Sequence, residues 1–132
     1  MDDIKSLILS LEQEQVEAFN RGDVDKILSF FDADILGFSS TKHDRFAGLD
    51  DLRETFQYYL QRTSKLEYSI SDAFVQVFGD TAIVSFYWLV AMMFGKTRRE
   101  VQGRGTHVYL RKSGEWTIVH EHFSRAHHAY EK

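Results

Sequence analysis

Through the first sixty or so positions apolar residues recur every three to four places; from Lys65 onward they recur every two. Ile4, Leu7, Ile8, Leu11, Val16, Ala18 and Phe19 fall mostly on one stripe with Glu and Gln between them. This spacing predicts a first helix of about five turns, with Asp2 or Asp3 as its N-cap. The segment "NRGD" breaks it, Gly22 suiting a C-terminal cap and Asp23 the cap of a second helix with Val24, Ile27, Leu28 and Phe31 as its apolar face. "ADILGFSS" reads as a short strand and "TKHDRFAG" as a loop. Leu49, Leu52, Phe56, Tyr59 and Leu60 then return to helical spacing.

In the second half "KLEYSISDAFVQVFGD" alternates until Gly79 and Asp80 turn it. "TAIVSFYWLVAMMFG" is nearly all apolar, as expected of a strand buried on both faces, and "VQGRGTHVYLRKSGEWTIVHEHFS" completes a hairpin. The order is helix, helix, strand, helix, then four strands joined by short turns. Such an order predicts an α+β fold with helices packed on one side of an antiparallel sheet.

Composition narrows this picture. A chain of 132 residues is the size of one domain, 1–132, and 43% hydrophobic with 27% charged residues is ordinary for a globular protein. Eleven Phe, six Tyr and two Trp point to a core or cavity walled by rings. The net charge of -4 gives no electrostatic reason to expect nucleic acid, and the basic cluster Lys96, Arg98, Arg99 and Arg104 is interrupted by Glu100 and reads as a solvated strand end. The absence of cysteine excludes disulfides and thiolate zinc sites. "MDDIKSLILSLEQEQ" is unlike a signal peptide, and no apolar run approaches the ~20 residues of a membrane span, so a cytoplasmic protein without a membrane partner is the expectation.

The candidate chemistry lies in the last hairpin. With Lys112, Ser113 and Gly114 as a three-residue loop, Arg111 pairs with Glu115, His107 with Val119 and Arg104 with His122. One face then carries His107, Tyr109, Thr117, Val119, Glu121 and Phe123; the other carries Arg104, Thr106, Val108, Leu110, Trp116, Ile118, His120 and His122. A two-residue turn shifts the register by one and mixes the sets. The separation disfavours a His120-Glu121-His122 metal triad, and Arg104 opposes a cation beside His122, so no metal is expected. His43, Asp44 and Arg45 read as a solvated loop, and His127 and His128 as a solvated tail. Glu121, on a face turned towards the helices, is a desolvated carboxylate that His107 or a ligand would have to pair with. It suits a general base, or an anchor for a cationic or hydroxylated ligand. The outward set leaves a large apolar patch in water unless a second copy covers it, which predicts a homodimer or larger assembly.

The element order, "EAFNRGDVDKILSFFDADI" and above all "GRGTHVYLRKSGEWTIVHEHFS" resemble the nuclear-transport-factor-2-like superfamily in its SnoaL-like branch. Within it the chain is similar to relatives of the association domain of calcium/calmodulin-dependent protein kinase II. The resemblance spans nearly the whole chain. It implies a cone: a strongly curved antiparallel sheet wrapped around three N-terminal helices, open at the wide end, often dimeric through the outer sheet face. It also implies a choice of functions, since this cone hosts isomerases, dehydratases and cyclases as well as binding and assembly modules. The association domain lines its pocket with arginines at positions that align with Trp88, His107 and Phe123, so none is kept. A carboxylate ligand is thereby disfavoured, and a small, largely apolar ligand against Trp88, Phe86, Tyr109, Phe123 and Tyr59, with Glu121 and His107, is expected instead. No cofactor is implied. The alternatives are an isomerase or lyase in which Glu121, His107 and Tyr109 carry acid/base chemistry, and a protein-interaction module.

Overall fold

The computed structural model describes residues 2–62 and 65–126; His127 and His128 lie outside them. Helix α1 runs Asp2–Arg21, so Asp2 and Asp3 stand inside its first turn rather than ahead of it. Helix α2 is Val24–Leu28, with Asp23 accepting the Lys26 N–H as its N-cap. It stops short of Phe31, which opens strand β1, Phe31–Phe38. The expected loop contains a two-residue strand, β2, Phe46–Ala47, held on Leu36 and Gly37. Helix α3, Gly48–Arg62, leads to four long strands: β3 Lys65–Phe78, β4 Thr81–Phe94, β5 Thr97–Lys112 and β6 Glu115–Arg125.

The six strands form one open, curved sheet in the order β2-β1-β6-β5-β4-β3. The meander from β3 to β6 is antiparallel as predicted, but β1 joins β6 in parallel. The concave face wraps the helices into an α+β cone. Curvature comes from irregular ladders. In β3 the register shifts between Ser71 and Phe74, where Asp72 takes a left-handed conformation, φ 58°; an extra residue of this kind bends a strand. The core is built from both layers: Ile8, Ala18 and Phe19 of α1 and Leu52 of α3 meet Val84, Phe86, Trp88, Tyr109 and Ile118 of the sheet.

The last hairpin departs from the expected register. Ser113 and Gly114 form a two-residue turn with φ 51° and 81°, so Lys112 pairs with Glu115 and Tyr109 with Ile118. Two positive φ values match the twist of paired strands. A bulge on β6, where Val119 is left without a partner opposite Val108 and Tyr109, then brings Val108 opposite His120 and His107 opposite Glu121. Between turn and bulge β5 keeps its expected faces, with Tyr109 inward, whereas the faces of β6 are the reverse of those expected. Ile118 is fully buried in the core, and Trp116 packs against the core with Arg111 over its ring. Neither belongs to the outer surface. Beyond the bulge the offset is two residues, an even number, and alternation restores the expected faces.

Strand β4 is covered on its inner face alone within the single chain. Ala82, Val84, Phe86, Trp88 and Val90 are buried, whereas Tyr87 is 56% exposed.

Candidate functional site

Four charged or polar side chains sit inside this cone, nearly out of reach of solvent: Glu12, Gln15, His107 and Glu121. Glu12 and Gln15 come from the inner stripe of α1, one and two turns after Ile8. His107 and Glu121 are cross-strand partners on the inner face of β5 and β6. His107 bridges the layers. Its Nδ1 is 2.6 Å from Glu12 Oε2 and its Nε2 is 2.8 Å from Glu121 Oε1. Tyr109 donates its hydroxyl to the same Glu12 oxygen at 2.7 Å, and Gln15 donates to the Tyr109 hydroxyl at 2.8 Å.

This arrangement sets the charge of the imidazole. Burial alone opposes protonation, but the charges and hydrogen bonds of Glu12 and Glu121 outweigh it and raise the His107 pKa to about 10. His107 is therefore an imidazolium donating from both nitrogens, as two charge-assisted hydrogen bonds. The rings of Phe86, Phe123 and Phe31 stand 5.3, 5.6 and 5.8 Å from it, close enough to stabilise a cation further. Burial, followed by the Glu12 charge, pushes the Tyr109 hydroxyl well above its ordinary pKa and keeps it a donor.

Glu121 ends this chain of bonds at a cavity. Its Oε1 is committed to His107, while its Oε2 has no protein partner among the described residues. The cavity is lined on one side by Gln15, Phe19 and Phe56 and on the other by Tyr68, Trp88 and Phe123, with His107 and Glu121 at its base. Ser39 and Ser40, from the loop after β1, and Tyr59 of α3 also line it, with the Ser40 and Tyr59 hydroxyls 3.1 Å apart. The space open to the centre of a water-sized sphere is about 70 Å³, enough to admit several waters. A single-ring or short-chain ligand is of a size for such a space.

Two features shape the wall. Gly103 and Gly105 occupy inward positions of β5, and a Cβ at Gly103 would stand 2.8 Å from the Trp88 ring and 1.8 Å from the Ser124 carbonyl oxygen. Their lack of a side chain is what lets the indole and the Phe123 ring lie against the strand. The Trp88 indole N–H is spent on the Arg104 carbonyl, so the ring offers the cavity its carbon surface. Tyr68 is placed by Asn20, which pairs with both the N–H and the carbonyl of its backbone at 2.6 and 2.9 Å. The Tyr68 hydroxyl has no protein partner among the described residues, and burial with the Glu12 and Glu121 charges raises its pKa well above the ordinary value.

Of the residues expected at a site, Trp88, His107, Glu121, Phe123 and Tyr59 line the cavity. Tyr109 and Phe86 do not; both are packed behind its wall and buried. Of the expected outer set, Arg104, Val108, Leu110, His120 and His122 lie on the convex face, with the His122 ring 5.3 Å from Phe38. The alternation pattern did not reveal Glu12, Gln15, Tyr68, Ser39 or Ser40. For Glu12 a signal existed: it stands four residues after Ile8, on the apolar stripe itself, where an unpaired carboxylate is costly. Among the described residues no group of three His, Asp or Glu side chains is placed to hold a metal ion. Nor is any described helix long and apolar enough to cross a membrane.

A family model described as a SnoaL-like domain matches residues 8–128. Among solved structures, the chain is similar to an NTF2-like protein of unknown function from Pseudomonas putida, with a TM-score of 0.84 at 21% identity over 94% of this chain and 87% of that one. It is also similar to the CaMKII hub of S. rosetta, with a TM-score of 0.79 at 25% identity over 90% and 94%. The association domain of C. elegans CaMKII gives 0.78 at 19% identity over 93% and 96%.

Proposed function

This chain belongs to the SnoaL-like domain family of the NTF2-like superfamily, and we propose that it is a self-associating module holding a small, largely apolar ligand in its cone. The observation that carries this reading is the ring-lined cavity itself, kept open at a depth where a filled core would be the default. Ligand-observed NMR with single-ring fragments should find binders at one site. Thr55→Phe, which places a ring into the lining from α3, should abolish that binding while leaving the far-ultraviolet circular dichroism unchanged. Fragment binding that survives this plug would place the site elsewhere.

Self-association is supported by the convex face. Phe74, Phe78 and Tyr87 stand 67%, 60% and 56% exposed on it, and Leu110 and Val108 share this face across β4, opposite Thr81 and Ile83. Soluble monomers rarely leave so large an apolar patch in water, and the similar CaMKII chains are described as hub and association domains. Sedimentation velocity at micromolar concentration should show a dimer or larger species, and Leu110→Glu should shift it to monomer. A wild-type monomer would remove this half of the reading.

A second reading, a cofactor-free isomerase or lyase, is favoured by one feature: the free Glu121 oxygen and the Tyr68 hydroxyl face the same cavity, as a base and an oxyanion donor would. His107 has no part in such chemistry as a base, because both of its nitrogens are occupied by carboxylates.

A further inference from the structure

His107 and Glu121 both line the cavity, and of the two the Glu121 carboxylate is the one with an atom left without a protein partner among the described residues. Glu12 and Glu121 flank a single imidazolium, which leaves the buried cluster with one net negative charge, and Glu121 Oε2 is where that charge meets the open space. No Lys or Arg lines the cavity among the described residues. Arg125 acts on Tyr59 from an exposed position, outside the lining. We propose that the ligand is a small organic cation, a protonated amine on a single-ring or short-chain body, with its ammonium on Glu121 Oε2 and its body against Tyr68, Trp88 and Phe123. The proposal rests on the reading of the cavity as a ligand site.

Three physical requirements meet in such a ligand. Glu121 is buried as a residue, while its Oε2 opens onto the cavity without a protein partner among the described residues, so a donor that enters the cavity can reach it; an ammonium supplies both the hydrogen bond and the missing positive charge. Aromatic rings carry negative potential on their faces, so walls made of Phe56, Tyr59, Tyr68, Trp88 and Phe123 attract a cation and repel an anion. The volume admits one ring and its head group. A neutral alcohol satisfies the first and third of these requirements and leaves the charge unbalanced. A carboxylate ligand would add a second unpaired negative charge to the same buried space.

The test compares three probes that share one ring and differ in the head: benzylammonium, benzyl alcohol and benzoate. They are titrated into the wild-type chain at pH 7 and low salt, and followed by calorimetry and amide NMR shifts. Benzylammonium should bind about tenfold or more tighter than benzyl alcohol, the scale of one charge-assisted hydrogen bond, and benzoate should bind weakest. In Glu121→Gln the first two should come within about threefold of each other. The ranking on wild-type protein stands whether or not that variant folds. Benzyl alcohol or benzoate binding as tightly as benzylammonium overturns the cation assignment and leaves the cavity as a ligand site. Failure of all three to bind, with fragments of other shapes also inert, overturns both readings.

Discussion

Replacing His107 with leucine is expected to cost about 3–5 kcal/mol of folding stability, the scale on which removing one partner from a buried ionic group acts. The reason is what remains. Glu12 and Glu121 are 2% and 5% exposed, and without the imidazolium they face each other across an apolar gap with Tyr109 as the one donor left to Glu12. Replacing all three members with leucine removes the desolvated charges together and should be far milder, within about 2 kcal/mol of wild type. Urea unfolding midpoints at one protein concentration measure both, the fixed concentration being needed because self-association contributes to apparent stability. If the triple variant were as unstable as His107→Leu, lost packing volume rather than stranded charge would be the cause, and the ionic account of this cluster would fail.

The second large effect is on pH. The folded pKa of His107 is about 10, against 6.5 for an unperturbed histidine, so the native state holds its proton where the unfolded chain has released it. A raised pKa of this kind adds stability that is fully present below about pH 6.5 and is lost as pH climbs towards 10. At about 1.4 kcal/mol per unit the decline amounts to a few kcal/mol over that window. Tyr68 and Tyr109, whose pKa values burial also raises, extend the loss in the same direction above pH 10. Unfolding midpoints measured from pH 6 to pH 10 should fall steadily in the wild type and stay nearly flat in the triple leucine variant. An equal slope in both would assign the pH dependence to groups other than His107.

The hairpin shows how far alternation carries and where it stops. Pairing summed to a different register than expected, because Ser113 and Gly114 make a tighter turn and a bulge follows before His107. These two departures add up to an even offset, so His107, Glu121 and Phe123 face inward as alternation required, while Trp116 and Ile118, between turn and bulge, are reversed. A bulge at this point has no local sequence signature strong enough to place it. It falls at Val119 of β6, between Ile118, which pairs with Phe31 of β1, and Glu121, which pairs with Gly37.

Patterns of three to four and of two, Gly-Asp breaks and the ring-rich composition were enough to determine two helices, a strand, a third helix and a meander, an α+β fold that the family resemblance turned into a cone, and a strand pair whose inner face carries a histidine and a glutamate. These are properties of near neighbours in the chain, where spacing alone says which side chains share a surface. The partner of that histidine was decided by tertiary structure alone. Glu12 lies 95 residues away in sequence, and only the packing of α1 into the cone brings its carboxylate onto Nδ1. With it come the charge of the imidazolium, the net negative sign of the cluster and the free Glu121 oxygen at the cavity. None of these can be read from spacing, because each depends on how two layers close over a volume that neither contains by itself.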